Sequence, residues 1–169
     1  NLALLGMLRC SHNITDNTTA IDVATRLLEA PMLDTLVRNE ALYCRAKAYI
    51  KNQQYGLAIV DLASVAKEVR TAQGAESKYL LAECYYHLNA MDMAEQEIMD
   101  FTTLQTSHQY WLAKSLILLS DINLAREEVF QAKQYLLALQ KNYRTKDDIQ
   151  TIITDKLQHI DQIETTTQL

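Results

Sequence analysis

The sequence predicts an all-α chain, a stack of about four antiparallel helix pairs closed by a C-terminal helix, and three observations predict it. Glycine and proline are scarce, three and one in 169 residues, so the many turns of an all-β fold have nothing to form them. Apolar residues recur at helical spacing, as Leu42, Ala46 and Tyr49 do. One stretch of the chain also repeats another. Asn39–Arg70 superposes on Ala75–Thr106 at a constant offset of 36 residues, laying Ala46 on Ala82, Tyr49 on Tyr85, Tyr55 on Met91, Ala58 on Ala94 and Val65 on Phe101.

The repeat has a physical cause. Ala46 with Ala58, and Ala82 with Ala94, stand where two helices approach closely and a larger side chain would hold them apart. Tyr49 or Tyr85 fills the space beside that contact. Extending the register outward places Ala20 and Leu27 on Ala58 and Val65. Downstream it places Ser120, Ala132 and Leu139 on Ala82, Ala94 and Phe101, with the segment Thr102–Ser107 absorbing a two-residue shift.

Helices are predicted near Leu2–Asn13 and Thr18–Ala30, with Pro31 ending the first pair. Asp34–Lys51 and Gln54–Thr71 form the second pair, broken by the polar Asn52-Gln53-Gln54. Ala75–Leu88 and Met91–Thr103 form the third, and Ser107–Arg126 and Val129–Tyr143 the fourth. A last helix, Lys146–Glu164, is expected to start at a capping-box-like Thr145 with Asp148 three residues on. Its apolar residues Ile149, Ile152, Ile153, Leu157, Ile160 and Ile163 make one stripe, the pattern of a helix covering the open end of a stack. Residues 1–164 thus read as one domain with units near 1–34, 35–73, 75–106 and 107–144, a cap at 146–164, and a frayed tail at 165–169. Asn1 takes the first position of a unit in this register, and the chain is read as a segment of a longer protein.

Charge and motifs exclude several functions. A net charge of −5 argues against a nucleic-acid surface. No apolar run approaches the roughly 20 residues of a membrane span, so direct membrane insertion is not expected. Cys10, Cys44 and Cys84 show no ligand spacing and read as small buried hydrophobes. His12, His87, His108 and His159 lie on separate segments without metal-ligand spacing. Glu76, Glu83, Glu95 and Glu97 read as solvated helix faces, and Glu127-Glu128 as acids near a helix start. No glycine-rich loop precedes a helix. No catalytic residue, cofactor or metal is therefore expected, and the chain is read as a non-enzyme. The sequons at Asn13 and Asn17 are read as incidental.

The small–aromatic–small–apolar set of Asn39–Arg70, echoed in Ala75–Thr106, resembles the tetratricopeptide repeat (TPR) family, whose period is about 34 residues. The resemblance departs at the family's first-helix Trp, replaced by Leu42 and Lys78, and at its terminal proline. His108–Ile122 and Phe130–Tyr143 are similar to repeat arrays of large Gram-negative cell-envelope proteins, which implies a periplasmic or envelope location. The family resemblance implies a right-handed superhelical solenoid whose first helices line a concave face. It assigns a protein or peptide partner to Arg9, Tyr43, Lys47, Lys51, Tyr79, Glu83, Tyr86, His87 and Asp121, with Leu5, His12, Ile50, Lys114 and Ile117 beside them. The family's carboxylate clamp is absent, because Leu5, Arg9, Cys44, Glu76 and Leu80 stand at its positions. Two other readings stay open: a structural spacer in a longer solenoid, and an accessory domain holding a small ligand or glycan. Homo-oligomerisation is also open.

Overall fold

The structure, a computed structural model, describes residues 2–167, Thr167 by its backbone alone. Nine helices and no strand occur among the described residues. In chain order they are α1 (Leu2–Asn13), α2 (Asn17–Leu28), α3 (Thr35–Lys51), α4 (Tyr55–Val65), α5 (Ala72–His87), α6 (Met91–Thr103), α7 (Gln109–Ala125), α8 (Val129–Asn142) and α9 (Ile149–Thr167). The first helices α1, α3, α5 and α7 touch in sequence, and α9 follows α7. Each second helix, α2, α4, α6 or α8, packs between the helices that precede and follow it. This is the predicted solenoid of helix pairs with a closing helix.

Within every pair the turn is the same. Thr15, Gln53, Asn89 and Glu127 each adopt a left-handed conformation, with φ of 59, 59, 58 and 63°. The amide of the next residue, Asp16, Gln54, Ala90 or Glu128, donates to the carbonyl five residues back, at 2.8–2.9 Å. These are Schellman turns, which satisfy carbonyls left open at the end of the first helix and reverse the chain. Their spacing of 38, 36 and 38 residues reproduces the side-chain register independently.

The alanines sit where the repeat requires them. Ala46, Ala58, Ala82, Ala94 and Ala132 are fully buried, and Ala20 nearly so. Ser120 keeps its hydroxyl satisfied by donating to the carbonyl of Ala132 at 3.0 Å. In the first pair, Leu8 fills the contact position and is fully buried.

Four expectations are corrected. The predicted Gln54–Thr71 helix stops at Val65, and α5 starts three residues before the predicted Ala75. Thr71 sets the early start of α5: its hydroxyl accepts from the amide of Gly74 at 3.0 Å and donates to the carbonyl of Glu68 at 3.0 Å. The closing helix starts at Ile149, where the side chain of Asp147, rather than Thr145, accepts from the Ile149 amide at 3.0 Å. The expected frayed tail is helical through Thr167, with Thr165 and Thr166 donating to carbonyls one turn back, while Gln168 and Leu169 lie outside the described residues. Cys10 is exposed; only Cys44 and Cys84 are buried, and burial raises their thiols to about 11 and about 12.

The two-residue insertion is also anchored. Thr106 donates to the carbonyl of Val69 at 2.8 Å, and the ring Nε2 of His108 lies 3.0 Å from the carbonyl of Arg70. The segment before α7 is thereby pinned to the turn before α5.

Candidate functional site

The wall formed by the first helices carries most of the predicted partner residues, and it is largely engaged with itself. Arg9 on α1 makes a two-pronged bond to Glu40 on α3, at 2.6 and 2.8 Å. On α3, Lys47 donates to Glu76 of α5 at 2.8 Å and to the Tyr43 hydroxyl at 3.1 Å, while Tyr43 donates to the same carboxylate at 2.7 Å. Tyr43 is only 8% exposed, and burial and the bond to Glu76 push its phenol far above the usual range.

Tyr79 is equally buried, at 8%. It donates to Glu83 one turn along α5, stacks on Trp111 with centroids 5.6 Å apart, and lies under the ammonium of Lys114 at 5.4 Å. Desolvation raises its phenol strongly, with Glu83 adding to the effect. Both tyrosines therefore join neighbouring first helices and leave little of their own surface open. Leu5 and Ile117 are buried as well. Lys51 is exposed at the end of α3. His12 lies tilted beside Tyr43, centroids 6.2 Å apart, and burial with the nearby Lys47 and Lys51 charges lowers its pKa.

The acids expected on solvated faces are paired for the same reason. Glu76 bridges to α3, Glu95 accepts from Arg126 at 2.5 Å, and Glu97 receives Lys78. Asp61 and Glu97 occupy equivalent repeat positions. Asp61, almost fully buried, takes Arg45 in a two-pronged bond at 2.7 and 2.8 Å, and Arg45 reaches Thr25 at 3.0 Å. Hydrogen bonding to Asp61 raises the Arg45 pKa. These bonds tie second helices to first helices.

Open space lies nearer the C-terminus. A trough of about 820 Å³ is bounded by Tyr86 of α5, Asp121, Leu124 and Ala125 of α7, Glu127 and Val129 at the α7–α8 turn, and Lys156, His159 and Ile163 of α9. A smaller hollow of about 230 Å³ shares Tyr86, Asp121 and Lys156 with it and reaches Tyr79, Glu83, His87 and Lys114. Lys156 donates to Asp121 at 2.5 Å and so bridges the floor. His87 stacks on Tyr55 of α4, centroids 4.6 Å apart at 12°, and meets the edge of Tyr86.

Of the nine predicted partner residues, the structure gathers Tyr79, Glu83, Tyr86, His87 and Asp121 around these connected hollows. Arg9, Tyr43, Lys47 and Lys51 lie apart, toward α1 and α3. The residues that sequence reasoning missed are Lys156 and His159. Their helix was read only as a cap, and the one available signal was that Lys156 and His159 flank the isoleucine stripe. Among the described residues, no group of three or more His, Cys, Asp or Glu could hold a metal ion. No described helix is long and apolar enough to cross a membrane.

No protein-family model matches the sequence, and no curated protein matches it. Solved structures do match. One, described as a Podosopora anserina kinesin light chain with nearly identical TPR-like repeats, superposes with a TM-score of 0.67 at 18% identity, covering 98% of this chain and 87% of the other. A point-substituted form of that protein superposes with a TM-score of 0.69 at the same identity and coverage. At such identity the likeness establishes the TPR-like solenoid fold.

Proposed function

We propose that this chain is a non-catalytic interaction module that holds a peptide segment of a protein partner in the trough between α5, α7 and α9. The observation that carries this reading is the trough itself, about 820 Å³ of open space with an apolar lining of Leu124, Ala125, Val129 and Ile163 and a charged rim. Solenoids of this kind use extended inner surfaces for protein partners. Tyr86 is the natural anchor, since a half-buried tyrosine offers large rigid area and a hydroxyl. A place in a bacterial cell envelope belongs to the same proposal and rests on the similarity of His108–Ile122 and Phe130–Tyr143 to envelope repeat arrays.

Selecting a displayed peptide library on the purified chain tests the assignment. Selected peptides should lose about tenfold or more in affinity on Tyr86→Ala, the scale of a central contact. They should be indifferent to Phe130→Ser, a change at an exposed residue outside the trough lining. Peptides insensitive to Tyr86, or no selectable peptide, would overturn it. The spacer reading has its own support in the wall of α1, α3 and α5, whose ion pairs already satisfy one another. If no peptide is selected, that reading takes over.

A further inference from the structure

The outer face of α1 differs from every other first-helix face in the molecule. Leu2 and Met7 are 87 and 49% exposed, and Ala3, Gly6 and Cys10 are exposed beside them. Residues 3, 6, 7 and 10 fall on one side of α1. A methyl group placed on Gly6 would meet nothing within 4 Å. The face is apolar and open, with small side chains at 3, 6 and 10 beside the larger Leu2 and Met7.

The repeat register shows what such a face does elsewhere. Ala3 corresponds to Ala41, Ser77 and Ser115, all buried. Gly6 corresponds to Cys44, Leu80 and Leu118, and Cys10 to Ala48, Cys84 and Ile122, again all buried. On α3, Ala41, Cys44 and Ala48 share one core cluster with Leu5 and Leu8 of α1 and Val23 and Leu27 of α2. On α5, Leu80 and Cys84 share a cluster with Ala58 and Leu62 of α4. Three of four first helices thus bury this face beneath the preceding pair. The opposite end is finished differently: α9 turns Thr151, Thr154, Asp155, Gln158 and Gln162 to solvent. None of the exposed large apolar side chains among the described residues lies on α9.

We infer that the outer face of α1 is an interface for one further helix pair of the same register, joined in covalent series and standing on α1 as α1 and α2 stand on α3. The small residues at 3, 6 and 10 leave room for a second helix to approach as α2 approaches α3. The polar outer face of α9 offers no such seat at the other side.

Duplicating residues 1–38 ahead of Asn1 tests this, because Arg38 then precedes Asn1 as it precedes Asn39. With Cys10→Ser in the added pair, Cys10 of the original α1 reports whether the face is covered, while Cys44 and Cys84 are buried in both forms. Maleimide labelling of Cys10 should slow by at least about tenfold relative to the unextended chain, with mean helicity per residue retained. Gly6→Arg in the original α1 should restore fast labelling. An added pair that stays unfolded, labelling at the original rate, or protection that survives Gly6→Arg would each overturn the inference. So would an unextended chain that sediments as a dimer and protects Cys10 by itself, since the face would then belong to a second copy.

Discussion

Two glycines in this chain predict opposite outcomes for the same substitution. Gly74 sits in the first turn of α5, where an added Cβ would lie 1.9 Å from the Glu68 carbonyl oxygen, 2.5 Å from its carbon and 2.9 Å from the Thr71 hydroxyl oxygen. Two of those three atoms are backbone, so the turn before α5 must move. Overpacking of this kind costs about 1–3 kcal/mol, and loss of the Thr71 cap adds about 1 kcal/mol. The intrinsic preference of helices for alanine over glycine returns about 1 kcal/mol. Gly74→Ala should therefore destabilise the fold by about 2 kcal/mol. Gly56, exposed in the first turn of α4, meets nothing within 4 Å, so Gly56→Ala keeps only the favourable part and should stabilise by about 0.5–1 kcal/mol. Urea unfolding followed by circular dichroism reads both. With a slope of about 2 kcal/mol/M, the midpoint should fall by about 1 M for Gly74→Ala and rise slightly for Gly56→Ala. Midpoints that move in the same direction would refute the account of the α4–α5 turn.

Thr15, a β-branched residue at φ 59°, is the most strained of the four turn residues, and Thr15→Gly should raise stability by about 1 kcal/mol in the same urea assay. Asp61→Ala leaves Arg45 half-buried without its carboxylate and should cost about 3–5 kcal/mol, visible as a large drop in thermal midpoint. Asp61→Ala with Arg45→Met should recover much of that loss. The lowered pKa of His12 means the unfolded chain binds its proton more readily, so His12 contributes stability above about pH 6.5 that is lost as pH falls toward its folded value. The thermal midpoint should decline on acidification through that window, and His12→Asn should flatten the decline; an unchanged slope would remove His12 as its source.

The fold was legible because its strongest signals are local and repeated. Alanines at two helix contacts, an aromatic beside them and a constant offset required no knowledge of tertiary structure. The misplaced boundary at α4–α5 has a specific cause. Ala66–Thr71 reads as good helix, yet α4 ends at Val65, and the Thr71–Gly74 pair, with a carbonyl filling the space of a missing Cβ, starts α5. Such a start depends on one close approach and leaves no trace in periodicity. The Schellman turns were hidden too, since Thr15, Gln53, Asn89 and Glu127 include no glycine to announce a left-handed residue.

The site was legible only by helix, not by surface. Spacing places Tyr43, Lys47, Tyr79 and Glu83 on first helices, but it cannot say that the neighbouring first helix brings Glu76 to Tyr43 or Trp111 to Tyr79. Those contacts join residues 32 or 33 positions apart across a repeat boundary, where sequence carries no direct signal. They also change what the wall can offer. A partner binding along α1, α3 and α5 would have to displace ion pairs that already satisfy both members, which gains little net energy. Around Tyr86 the balance differs, because open volume adjoins apolar side chains that lose water on contact. Lys156 stays bridged to Asp121 there without closing the trough, so the charge at its floor is compensated before any partner arrives. In the proposed binding mode, affinity then comes from apolar anchors and shape, with the rim charges setting which segment is admitted.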